Sequence, residues 1–153
     1  MTGADVISDI VTRVKSTGTK TYIRGKCDFV HLDRVYDPID GLLSIRGRSR
    51  IFTVTADGGF QLSGPIGDRT EWAHVISSAD VSILYELGSS VTAVIKAVME
   101  DRDSLIYALT RADLYPSGVF RRSVQSATFD AEGEEGSGGI LSLSILTEYK
   151  PEF

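Results

Sequence analysis

Residues 89–112, SSVTAVIKAVMEDRDSLIYALTRA, decide how the rest of the chain can be arranged. Val91, Val94, Ile95, Val98, Leu105, Ile106 and Leu109 recur at three- and four-residue steps, which lines them along one side of a helix. Lys96, Glu100, Asp103 and Arg111 occupy the other side. Ser89 or Ser90 is placed to cap the first turn, its hydroxyl accepting from an unpaired amide. The stripe thins at Asp101 and Arg102, where a break is conceivable, but the seven-residue steps from Val91 to Val98 to Leu105 carry the helix through.

The flanking sequence supplies what this helix must cover. In residues 81–87, VSILYEL, Val81, Ile83, Tyr85 and Leu87 share one face of a strand at period two. In residues 140–149, Leu141, Leu143, Ile145, Thr147 and Tyr149 do the same. A one-sided helix and a one-sided sheet each need a partner, and packing one on the other satisfies both.

Working outward, Thr2 and Asp5 have capping-box spacing, and Val6, Ile7, Ile10, Val11 and Val14 form a second helical stripe over residues 3–16. Gly18 then favours a stop. Residues 20–32 read as strand interrupted by Gly25, and residues 33–47 as an irregular excursion marked by Asp37-Pro38 and Asp40-Gly41. Residues 48–56, RSRIFTVTA, alternate as a strand that Asp57-Gly58-Gly59 is expected to end. Residues 60–69 suggest a second loop, residues 71–76 a strand, and residues 77–80 a turn before VSILYEL. After the main helix, Tyr115-Pro116-Ser117-Gly118 breaks the chain, residues 119–129 return as a strand, and residues 130–139, DAEGEEGSGG, form a long hairpin tip. The expectation is an α+β fold: an antiparallel or mixed sheet of five to six strands with two helices on one face.

Length and composition agree with this. A chain of 153 residues suits a single domain, which at this size buries about 70% of its unfolded surface. A net charge of −5 argues against a protein that coats nucleic acid, which needs a basic face. Cys27 stands alone and forms no internal disulfide, and no apolar run approaches the roughly 20 residues that span a bilayer. A soluble, intracellular protein is expected.

Chemistry is harder to find. Gly18 with Gly25-Lys26 fails as a phosphate loop in spacing, in the residue after the lysine, and in context. Cys27 and His31 have a metal-ligand spacing but lack companions, since His74 is the only other histidine. His31, Asp33 and one of many serines make a triad only on paper, and Asp37 and Asp40 read fully as turn residues. No catalytic residue, cofactor or metal is expected.

Two opposed charge features remain. Arg46, Arg48 and Arg50 recur at every second position, so on a strand their guanidinium groups would project from one face. Asp130, Glu132, Glu134 and Glu135 crowd the hairpin tip. They read either as a solvated edge and a solvated loop, or as complementary patches toward a partner or another copy.

With these elements in place, residues 80–149 resemble the C-terminal half of the tail terminator proteins of long-tailed bacteriophages. The matching features are VSILYEL, AVIKAVMEDRDSLIYAL, YPSG and ILSLSILTEY, with the opening helix DVISDIVTRV in the expected place. The resemblance implies an α+β subunit of a hexameric ring in the virion neck. Such a ring caps the tail tube, stops its polymerisation and offers a surface to head-completion proteins. It implies contacts with tail tube protein and head-completion protein, no membrane, and a lumen that passes DNA without gripping it. A head-to-tail ring needs two unlike complementary surfaces per subunit, for which the arginine row and the acidic tip are the candidates. Another neck or tail role, or a small-ligand-binding α+β domain, is the alternative.

Overall fold

A computed structural model describes residues 1–21, 28–32, 49–63, 74–86, 91–132 and 138–151. The elements in chain order are α1 (Gly3–Ser16), β1 (Val30–His31), β2 (Ile51–Ser63), β3 (His74–Glu86), α2 (Val91–Thr110), a turn of 3-10 helix (Ala112–Leu114), β4 (Val119–Glu132) and β5 (Gly138–Tyr149). The strands form one mixed sheet in the order β1-β2-β3-β5-β4. Among the described residues only β1 and β2 run parallel, and the other pairs are antiparallel. The α+β expectation holds.

Helix α1 starts where the capping box places it. The Thr2 hydroxyl accepts from the Asp5 amide (3.2 Å) while the Asp5 carboxylate accepts from the Thr2 amide (2.8 Å). Val6, Ile10 and Val14 are buried from its stripe, and Val94, Val98, Leu105 and Leu109 from that of α2, joined by Ala97. These residues meet a sheet face built by register: Phe52 opposite Ile83 opposite Leu141, and Val81 opposite Leu143. Alternation therefore decided correctly which face of β3 and β5 points inward. A smaller cluster on the reverse face joins Ile51, Leu84 and Ile140.

Strand lengths depart from expectation. Strand β2 continues through Asp57-Gly58-Gly59 to Ser63 by shifting register between Ala56 and Phe60. A bulge takes up the residues that looked like a terminator. Likewise β3 runs unbroken from His74 to Glu86, so the turn expected at residues 77–80 is absent. Ser77, Ser78, Ala79 and Asp80 pair with β5 on one side, where Thr147 to Ser144 satisfy their backbone. The final hairpin is also longer than its alternation suggested, with Asp130 opposite Ile140 and Glu132 opposite Gly138. Residues 33–47, 64–69 and 133–137 lie outside the described residues.

Two glycines do specific work. Gly118, at φ +98°, turns the chain into β4, and the Val119 amide donates to the Pro116 carbonyl. At Gly139 a Cβ would collide with the Phe129 ring, which lies across it and meets Tyr85 edge-on at 6.0 Å.

The point where the α2 stripe thins proves central to the packing. Asp101 is buried and accepts two bonds from Arg50, from Nε at 2.7 Å and Nη2 at 2.9 Å, and a third from the Tyr85 hydroxyl at 2.7 Å. Arg50 has φ +61°, a left-handed conformation that costs a non-glycine residue about 1–3 kcal/mol. Its amide donates to the Leu84 carbonyl and its carbonyl accepts from the Val30 amide, so backbone and side chain both fix it. Breaking such a pair strands a buried charge. Asp101→Ala should lower stability by about 3–5 kcal/mol in urea unfolding.

Burial, and then the charge of Asp101, push the Tyr85 hydroxyl well above the usual tyrosine range. The folded state thus holds a proton that the unfolded chain releases near pH ~10. Its contribution is complete below that pH and is lost as pH rises further. Denaturation midpoints followed from pH 8 to 11.5 should fall more steeply for the natural protein than for Tyr85→Phe.

Candidate assembly surface

Three surfaces of the fold are available for contact. The first is the β4 edge. Strand β4 is terminal in the sheet, so the outward backbone groups along its 14 residues have no neighbouring strand among the described residues. Such an edge is a template for pairing unless something blunts it. Two register shifts, at Val119/Arg121 and Val124/Ser126, leave Phe120 and Gln125 unpaired against β5. Phe120 is half exposed and stacks on His74 at 4.2 Å. Glu148 accepts from His74 Nδ1 (3.1 Å) and pairs with the exposed Arg121 (3.2 Å).

The second lies on α2. Ile95, Met99 and Ile106 fall within about 40° of one another around the helix axis. Ile95 and Met99 are exposed, Met99 to 51%. They point away from the side of α2 that meets α1, where Glu100 accepts from the Thr21 hydroxyl (2.7 Å) and the Ala108 carbonyl accepts from Arg13 (3.4 Å). Thus part of the apolar stripe read from the sequence faces outward. Exposed apolar groups gathered in one place mark contact surfaces.

The third is a cleft of about 710 Å³ between the C-terminal halves of α1 and α2, lined by Asp9, Arg13, Lys20, Asp103, Tyr107 and Arg111 among others. Two of its lining residues, Asp9 and Arg13, belong to a buried group that includes Arg122 behind them. The Asp9 Oδ2 atom accepts from both Arg13 Nε (3.0 Å) and Arg122 Nη1 (2.8 Å). Arg122 also donates from Nε to the Thr147 hydroxyl (3.0 Å), and its Nη2 has no hydrogen-bond partner among the described residues. The Tyr115 ring sits 5.8 Å from the Arg13 guanidinium carbon and 5.7 Å from that of Arg122. Burial lowers the Arg122 pKa, while the bond and charge from Asp9 oppose the shift.

The expected sites divide sharply. Arg50 was placed on an exposed row with Arg46 and Arg48, but it is fully buried against Asp101. The physical reason is that β2 begins only at Ile51 and its Phe52 and Val54 face the helices, the side to which the turned Arg50 is also drawn. It is a packing residue. Arg46, Arg48, Glu134 and Glu135 lie outside the described residues, as do Cys27, Asp33, Asp37 and Asp40. Asp130 is exposed, and Glu132 ends β4. His31 tilts against Phe52 at 5.1 Å. Among the described residues no three His, Cys, Asp or Glu side chains gather as metal ligands, and no helix is long and apolar enough to cross a membrane. Sequence reading missed the Asp9–Arg13–Arg122 group. Arg13 follows Asp9 by one helical turn, but Arg122 is 113 residues away and gives no local signal.

Comparison with protein-family models and with curated proteins returns no match. Among solved structures the fold is similar to a chain described as "Virion of native gene transfer agent (GTA) particle", with a TM-score of 0.53 and 13% identity. The match covers 92% of this chain and 91% of that one. It extends over nearly the whole of both chains, so the likeness is one of fold throughout.

The outward apolar residues of α2 contribute little to the core of one subunit. Ile95→Glu with Met99→Glu should leave the thermal midpoint within a few degrees of the natural protein. If this surface mediates contact, the same variant should lose self-association in sedimentation velocity.

Proposed function

We propose that this chain is a structural virion protein of a phage-like particle, a tail terminator whose copies close into a ring on the end of the tail tube. The observation that carries the reading is a subunit with an open sheet edge and an exposed apolar helix stripe, folded like a virion chain over nearly its whole length. Such a subunit works by contact. Its task is to match one copy to the next, cover the growing end of the tube, and leave a surface for the head-completion protein.

The physical logic is closure. A head-to-tail contact repeated by a rotation that returns to its start produces a ring, whereas a rotation that does not return produces a filament. A ring seated on a tube buries the surface that the next tube ring would use, and so stops growth. A hexamer, as in the tail terminators the sequence resembles, would carry six copies of each contact.

The purified protein should have the mass of a closed oligomer in solution, alone or once tail tubes are added. Electron microscopy should show it once, at the upper end of the tube. Labelling along the whole length would indicate a tube protein instead, and a monomer at every concentration, with tubes present, would end the ring reading.

A further inference from the structure

We infer that the β4 edges of two copies of this chain pair antiparallel about a two-fold axis, with Arg121 of each copy opposite Asp130 of the other, so that two sheets become one. The inference stands apart from the ring reading above. A two-fold contact joins like surfaces, in free subunits or between facing rings, whereas the ring contact joins unlike ones.

The first ground is what the edge lacks. Strand β4 is terminal in the sheet, and an edge protected from pairing carries lysine, proline or charge along its length. Residues 119–132, VFRRSVQSATFDAE, contain neither lysine nor proline, and residues 123–129 contain no charge. Val124, Ala127 and Phe129 pack against the core from this strand yet are only partly buried. A strand laid alongside covers them and satisfies the outward backbone groups of β4.

The second ground is the order of charge. Arg121 near one end of β4 and Asp130 near the other are both exposed. An odd number of positions separates them, which on a regular strand puts them on opposite faces. The register shift between Val124 and Ser126 brings them to the same face: their β5 partners, Glu148 and Ile140, are an even number of positions apart. A strand positive at one end and negative at the other is complementary to its own antiparallel copy, so its charges select a second β4 as occupant. Arg121 pairs with Glu148 through Nη2 and has further N–H groups for the incoming carboxylate.

The third ground is register. Setting Arg121 against Asp130 of the second copy also sets Ser123 against Thr128 on that face, and Val124 against Ala127 on the face toward the helices. Polar side chains meet polar ones and apolar meet apolar, and the two bulges meet at the axis. A slip of one residue would set the helix face of one copy beside the reverse face of the other.

Two measurements test this. In sedimentation velocity, Arg121→Glu and Asp130→Arg should each weaken self-association about tenfold, since each places like charges opposite one another twice in the pair. Mixing the two variants should restore association, because the mixed pair has opposite charges at both positions. Independently, Ser123→Cys with Thr128→Cys in a Cys27→Ser chain should give a disulfide-linked dimer on mild oxidation. Within one chain these positions are roughly 15 Å apart, too far for a bond. A natural protein that is monomeric at every concentration without tubes, variants that associate as it does, a mixture that stays apart, or an oxidised chain that stays monomeric overturns the pairing. Each of these leaves the ring standing, because that reading fails only if no oligomer forms on tail tubes.

Discussion

The buried contact among Arg50, Asp101 and Tyr85 is the constraint on which the placement of the other elements depends. It ties the start of β2, the end of β3 and the middle of α2 at one point. Apolar packing alone lets a helix slide or rotate over a sheet at modest cost, because one aliphatic contact substitutes for another. A bidentate ion pair does not permit that, since a small displacement leaves two charges without solvent or partner. Once α2 is held at Asp101, its flanking residues have determined neighbours. Val98 and Leu105 go into the core, while Ile95 and Met99 remain outside.

A second polar group, Asp9 with Arg13 and Arg122, performs a similar task for α1. Here the compensation is incomplete, with one carboxylate serving two guanidinium groups. The contrast between the two groups is informative. At Asp101 three donors converge on one carboxylate from two side chains, whereas at Asp9 two buried guanidinium groups share a single oxygen. The face of the sheet away from the helices follows the same economy of small groups, with Thr53, Ser82, Ser142 and Thr128 in one cross-strand row. Thr53 and Ser82 in this row are themselves buried, and the smaller cluster of Ile51, Leu84 and Ile140 lies on the same face.

Much of this architecture was legible in the chain. The capping box at Thr2 and Asp5, the stripe of α1 and the inward faces of β3 and β5 all rest on interactions between residues close in sequence. Strand ends were less legible. Asp57-Gly58-Gly59 and residues 77–80 carry local turn chemistry, yet β2 passes the first through a bulge and the second pairs with β5 residue by residue. Local propensity is weak against a complete ladder of hydrogen bonds.

The sequence by itself determined the class of fold, the two helices and the inward faces of α1, β3 and β5, because periodicity and caps act within a few residues. Only the tertiary structure decided that Arg50 belongs to the core. It alone brought Arg122 to Asp9 across 113 positions and left part of the α2 stripe facing outward. The physical reason is that charge burial is set by what the fold brings alongside a residue, and period-two spacing carries no information about that neighbour.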